Sequence, residues 1–246
     1  MNVVLLHPEE IDAAGQAVLT GRRLLHVRNV LGVVPGARIR VGVVGAGRHL
    51  AEVRETHDDG CLLRLDAPLE PLPEPLIDVL LALPRPKCLL RLLPQLAAIG
   101  IGHLYLVNAA KVTRDYWGAQ IIKRNEFSEL FAQGLEQAGD VRVPTVTLSR
   151  RFKSFVRDQV ANQYGDGCKL VAHPSDAGTS QQLVSNLPSG KRVLLAVGPE
   201  GGWTDDELTF LEALGFDRFG LGSRVLRTDT ACIALLSVLS WGRCSK

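Results

Sequence analysis

No two of the five cysteines in this chain, Cys61, Cys88, Cys168, Cys232 and Cys244, stand in CxxC spacing. A zinc site is therefore not expected, and an odd, scattered set does not make a secreted disulfide framework; buried free thiols in a reducing compartment are expected instead. The chain also lacks any apolar run approaching the ~20 residues that a membrane helix needs. Its first residues, from Met1 to Pro8, have no basic stretch ahead of a short apolar run, which excludes a signal peptide. Charge of one sign is missing as well. With 28 Lys+Arg against 26 Asp+Glu, the formal net charge is +2, so any nucleic-acid contact must come from local patches. These absences point to a soluble, cytoplasmic protein. What is present is 246 residues at 46% hydrophobic content, enough for two domains with real cores.

The sharpest break in composition lies at Pro68, Pro71, Pro73 and Pro75, where regular helix and sheet pairing are forbidden. It predicts a linker between a domain over residues 1–70 and another over 76–246. Before it, Ile39, Val41 and Val43 alternate with Arg38, Arg40 and Gly42 as a half-buried strand does. Residues 49–54 run back from a turn and 61–65 add a third strand; with a short helix over 9–20, the expectation is a small β-barrel. After the break, strands at 77–83, 104–107, 146–148, 169–172, 193–197 and 218–221 alternate with helices at 87–99, 119–138, 152–162, 204–214 and 228–239. That alternation predicts an α/β fold with a parallel sheet covered by helices.

Glycine-rich segments carry the chemistry. The run Val43-Val44-Gly45-Ala46-Gly47 resembles the start of a dinucleotide fingerprint, but the third glycine is replaced by Leu50 and a strand pattern follows, so a hairpin turn is expected. The stronger signal is the apolar run 193–197 entering Gly198-Pro199-Glu200-Gly201-Gly202-Trp203, after which Thr204 and Glu207 form a capping box. Loops at the C-terminal ends of parallel strands are where open α/β sheets bind ligands, and glycines permit close backbone approach. Gly201 and Gly202 are both expected to exclude a β-carbon. No Gly-Lys-Ser/Thr follows, so a P-loop is not indicated. A second such segment, Leu221-Gly222-Ser223-Arg224-Val225-Leu226-Arg227-Thr228, precedes a nearly all-apolar helix expected to be buried all round. Weaker strand-end signals are Leu83-Pro84-Arg85-Pro86-Lys87 and His173-Pro174. A plain strand–turn–helix connection is the bland alternative for each, and a structural histidine for His173.

Taken together, GPEGGWTDDE and LGSRVLRTDTA resemble the SPOUT methyltransferases, and specifically the 16S rRNA uracil-N3 methyltransferase family (RsmE). The similarity extends to GLEQAGDVRVP at 134–144 and, loosely, to residues 22–36. It implies a SPOUT-type trefoil-knotted parallel sheet with helices on both faces, a PUA-like N-terminal β-barrel, and a homodimer. It implies S-adenosylmethionine as cofactor, without metal, held by Leu83, His173, Gly198, Pro199, Glu200, Gly201, Gly202, Leu221, Gly222, Val225 and Leu226. The implied partner is 16S ribosomal RNA of the small subunit. For the reaction, Arg227 is the candidate to stabilise a uracil anion and Glu200 a weaker candidate for proton removal. The chain departs from the family pattern at Arg85-Pro86-Lys87, Ala98-Ile99-Gly100-Ile101 and Gly139-Asp140.

Three basic clusters could hold RNA: Arg22, Arg23 and Arg28, with Arg38 and Arg40 on the nearby strand; Lys111 and Arg114 ahead of Tyr116 and Trp117; and Arg150, Arg151, Lys153 and Arg157 interleaved with Phe152 and Phe155. Solvated surface charge is the bland reading of each. Two alternatives stand beside uracil methylation: ribose 2′-O-methylation on the same scaffold, and a non-catalytic RNA-binding or ribosome assembly factor.

Overall fold

A computed structural model describes residues 3–165, 167–174 and 177–244, with 177–179 and 244 described in backbone only. The chain forms two compact units, one of residues 1–73 and 132–143, the other of 74–131 and 144–246.

The first unit is built on a five-stranded mixed sheet. Its strands are β1 (Val4–Leu6), β2 (Gln16–Leu19), β3 (Arg38–Val43), β4 (Gly47–Thr56) and β5 (Cys61–Pro68), in the order β1-β3-β4-β5-β2. Only β1 and β3 run parallel. Alternation puts Val4, Leu6, Ile39, Val41, Ala51, Val53 and Leu63 into one core, closed by Leu24 and Val27 of helix α1 (Gly21–Asn29). The glycine-rich segment at 43–47 is a hairpin turn, with Val43 paired to Gly47.

In the second unit, all six strands are parallel. They are β6 (Ile77–Ala82), β7 (His103–Val107), β8 (Thr145–Ser149), β9 (Cys168–Ala172), β10 (Val193–Val197) and β11 (Phe216–Phe219), in the order β11-β9-β10-β6-β7-β8. β6 and β10 are buried at every residue, as strands covered on both faces must be. Helices α2 (Pro86–Ile99), α3 (Gln120–Arg124), α4 (Ser128–Ala138), α5 (Phe152–Phe155), α6 (Ala177–Ser185), α7 (Asp205–Ala213) and α8 (Thr228–Cys244) follow the strands. The chain passes from the second unit to the first inside α4. At the N-terminal end of the sheet, fully buried Asp78 accepts from Arg192 Nε and from the Tyr164 hydroxyl, each at 2.7 Å, so its charge is paired.

Several expectations need correction. Residues 9–20 are not a helix: after a 3-10 turn (Pro8–Glu10), Gln16–Leu19 pairs with β5, burying Ala17 and Leu19 while Val18 faces out. The helix expected over 119–138 breaks at Asn125, whose φ of 55° stops α3 before α4 begins. Residues 152–162 hold one α turn, then π (Val156–Val160) and 3-10 (Ala161–Tyr164) geometry. β11 ends two residues before the expected strand does. Helix α8 is not buried all round: Leu235, Leu236 and Leu239 are buried, while Ser237 is exposed and Trp241 keeps 70% of its surface. Cys61, Cys88 and Cys232 are buried free thiols and Cys168 is half-buried; burial pushes Cys168 up to about 11 and Cys232 up to about 12. The side chain of Cys244 lies outside the described residues.

Candidate functional site

The site begins where β10 stops. Gly198 ends the apolar run, and the Gly202 N–H closes a turn onto the Pro199 carbonyl at 2.8 Å. Gly202 sits at φ +69°, a left-handed conformation that a β-carbon would strain. A β-carbon on Gly198 would lie 3.2 Å from the Trp203 backbone nitrogen and from its indole nitrogen, so this position leaves little room. Gly201 is crowded from another side. Its β-carbon would meet the Lys111 side chain, 2.9 Å from Cδ, and it does not line the cleft.

The capping box forms as expected. The Glu207 N–H donates to Thr204 Oγ1 at 3.3 Å and the Thr204 N–H donates to Glu207 Oε2 at 2.9 Å. Buried Glu207 also accepts from the Ala110 N–H at 2.7 Å, tying the loop after β7 to the start of α7. Lys111 Nζ then donates to the Gly201 carbonyl at 2.8 Å. Sequence reasoning placed Lys111 in a basic cluster and missed this latch, because nothing in either segment encodes their meeting.

The second glycine-rich segment comes back to the first. Thr228 Oγ1, buried at the start of α8, donates to the Gly198 carbonyl at 3.3 Å. The Gly220 N–H donates to Ser180 Oγ at 3.0 Å, and the His173 N–H donates to the Phe219 carbonyl at 3.1 Å. The resulting cleft, about 620 Å³ counted to its open mouth, lies at the C-terminal ends of β9, β10 and β11. His173, Gly198, Pro199, Glu200, Gly202, Leu221, Gly222, Val225 and Leu226 all line it. Leu83 does not; it is buried, its N–H spent on the Val107 carbonyl. Lining residues that sequence reasoning missed include Trp203 and, four residues apart on α8, Ala231 and Leu235. Trp203 stacks on Phe152, and its buried indole N–H meets no acceptor among the described residues.

The residues singled out for chemistry sit otherwise. Arg227 lies outside the cleft lining, its side chain 76% exposed, with Nε 3.7 Å from Asp229. Glu200 Oε1 accepts from the Arg85 N–H at 2.9 Å, so it braces the strand end at Pro84 against the glycine loop. Among the arginines expected at RNA, Arg22 donates to both oxygens of Glu136, at 3.0 and 3.1 Å, and Arg23 donates to both of Glu10. Arg28 pairs with Asp58 at 3.0 Å. Arg114 is exposed in a 3-10 turn (Arg114–Gly118). In the third cluster Phe152 and Phe155 are buried, and Arg157 pairs with Asp158, which fits the bland reading. Among the described residues no group of three or more His, Cys, Asp or Glu is placed to hold a metal ion, and no helix is long and apolar enough to cross a membrane.

Comparison with known proteins agrees with this geometry. A family model described as an RNA methyltransferase domain matches residues 70–240. The chain is 30% identical over 247 residues to the ribosomal RNA small subunit methyltransferase E of Treponema pallidum, covering 97% of this chain and 90% of that protein. It is 27% identical over 242 residues to the protein of the same name from Synechocystis, covering 96% and 76%. Among solved structures, the ribosomal RNA small subunit methyltransferase E from Neisseria gonorrhoeae bound to S-adenosyl methionine shares the fold. Its TM-score is 0.73 at 20% identity, over 97% of each chain.

Proposed function

This chain belongs to the ribosomal RNA small subunit methyltransferase E family of RNA methyltransferases, and we infer that it methylates N3 of a uridine in 16S ribosomal RNA with S-adenosylmethionine. The observation that carries this reading is the meeting of the two glycine-rich segments in one cleft, joined by the Thr228–Gly198 hydrogen bond.

The cleft fits that cofactor on its own chemistry. Leu221, Val225, Leu226 and Leu235 offer apolar walls for an adenosyl group, the glycine turns offer backbone amides and carbonyls, and the Trp203 indole N–H is a donor still lacking an acceptor. When bound, S-adenosylmethionine supplies a methyl group on a sulfonium centre. The protein's part is positioning and charge. Gly198, Pro199, Gly202, Gly222 and His173 shape the cofactor's seat, while Leu83 and Gly201 support it from behind. Uracil N3 carries a weakly acidic proton that passes to solvent water, and an exposed guanidinium at Arg227 would stabilise the anion left on its carbonyls. Glu200 acts as a brace: its hydrogen bond to the Arg85 N–H favours that role over proton removal. Arg114 stays in this reading as a contact to RNA phosphate. Arg22, Arg23 and Arg28, each held by a carboxylate, leave it.

The family reading also carries a trefoil knot around α8, a PUA-like first domain over residues 1–70 ahead of the 76–246 methyltransferase domain, a homodimer, and a cytoplasmic site of action. The test is product analysis. Purified protein, S-adenosylmethionine and in-vitro-transcribed small-subunit ribosomal RNA are incubated, and the digested nucleosides are separated by mass spectrometry. N3-methyluridine is expected. A 2′-O-methylnucleoside would replace this reading with ribose methylation. No methyl transfer, with no adenosylmethionine binding by calorimetry, would leave an RNA-binding assembly factor.

A further inference from the structure

The first unit contains no phenylalanine, tyrosine or tryptophan in residues 1–73 or 132–143. Proteins that read unstacked bases do so largely by stacking them on aromatic rings. With only histidine and arginine left to stack on a base, an RNA contact made by this unit rests chiefly on phosphate and on cationic side chains. Arg22, Arg23 and Arg28 are each paired with a carboxylate of the same unit, and the positive charge left unpaired lies elsewhere.

It lies on the outer face of the sheet. Arg40 pairs in register with Leu50, and Gly42 with Arg48, so Arg40 and Arg48 are diagonal neighbours on one face. The core residues Ile39 and Val41 point the other way. A β-carbon on Gly42 would stand 2.5 Å from Val141 and 2.9 Å from Leu5, so its absence lets the 139–141 segment settle on this face. A hollow of about 200 Å³ results, lined by Arg40, Arg48, Val3, Leu69, Ala138 and Gly139. Arg40 is exposed and makes no ion pair among the described residues. Arg48 donates through Nη2 to the Glu70 carbonyl, a neutral partner, while its Nε–H is buried and meets no acceptor. A buried guanidinium N–H without an acceptor is costly, and a charged oxygen is the partner it fits best. Two carboxylates of the 132–143 segment are already engaged, Glu136 by Arg22 and Asp140 by Arg142.

We propose that Arg40 and Arg48 seat a phosphate of the RNA backbone in this hollow. The proposal rests on the RNA-methyltransferase reading above and names where the first unit grips the RNA. It is tested by the salt dependence of affinity for in-vitro-transcribed small-subunit ribosomal RNA, using the full chain. Arg40→Gln should flatten the log–log slope by about 0.7–0.9 for one lost phosphate contact, and Arg40→Gln with Arg48→Gln should flatten it further. Arg28→Ala, removing an exposed pair, should leave the slope at the parent's value. Adenosylmethionine affinity should not change in any of the three. Should Arg48→Gln unfold the unit, Arg40→Gln decides alone, because its side chain is exposed. A slope in Arg40→Gln equal to the parent's, with the parent still methylating this RNA, would overturn the proposal and spare the function. It would leave Arg48 as a partner of the Glu70 carbonyl and Arg40 as solvated surface charge. A parent that neither binds nor methylates the RNA would bring down both.

Discussion

Glu10 and Arg23 make the stability of the first unit depend on pH. The hydrogen bond from the Arg23 guanidinium holds the Glu10 carboxyl down to about 2, against the opposing effect of partial burial. A carboxyl whose folded pKa lies below its unfolded one stabilises the fold above the ordinary carboxylate range and loses that contribution as pH falls toward the folded value. The parent should therefore melt above Glu10→Gln at pH 7, by an amount on the order of 1 kcal/mol for a pair of this exposure. The gap should close as the pH falls from about 5 to about 2; a gap that persists in acid would show that packing, not charge, sets it. At this same scale the sequence was readable where a residue's own backbone chemistry decides its place. Gly202 needs its positive φ, and Thr204 needs Glu207 three residues on. It was unreadable where a partner far along the chain decides. Gly201 is backed by Lys111, and Arg22 is held by Glu136, 114 residues away.

The loop after β7 and the turn after β10 behave as one element held at two points. Glu207 takes the Ala110 N–H, and Lys111 reaches the carbonyl of Gly201, with that of Trp203 at 3.4 Å. Lys111→Met keeps the stem that packs under Gly201 and removes only the donor. One net hydrogen bond to a charged group at a partly exposed site is worth about 1–2 kcal/mol. We expect calorimetry to show adenosylmethionine binding weakened several-fold, with the melting temperature lowered by about 2–8 °C. Unaltered affinity would mean that the turn holds its shape without the latch. Elements were legible in proportion to their apolar pattern. The unbroken runs of β6 and β10 and the apolar face of α2 announced themselves. In contrast, α6 is rich in Ser, Thr and Gln over 179–182 and carries little periodic signal. Asn125 sits in a stretch whose spacing reads as one continuous helix, and only its left-handed φ divides it.

At the scale of the whole molecule, the second unit leaves apolar side chains open to solvent: Val225 at 86%, Trp241 at 70%, Leu221 at 45% and Leu226 at 39% exposed. Leu221, Val225 and Leu226 stand together at the cleft; contiguous exposed apolar surface marks an interaction site, and the homodimer proposed above would cover part of it. Sedimentation velocity at micromolar concentration should show a dimer; a monomer that methylates RNA at full rate would contradict it. A knot and a dimer were beyond any reading of periodicity, since both depend on how distant parts of the chain thread or meet, and only the family resemblance suggested them. The uneven placement of aromatic residues has a practical consequence in optics. Trp117, Trp203 and Trp241 all belong to the second unit, as do all three tyrosines. Near-ultraviolet absorption and intrinsic emission thus report on that unit alone, and the first unfolds unseen by them. A tryptophan placed at exposed Val18 would give the first unit a colour of its own, while Trp203, in the wall of the cleft, already supplies a lamp beside the seat proposed for the cofactor.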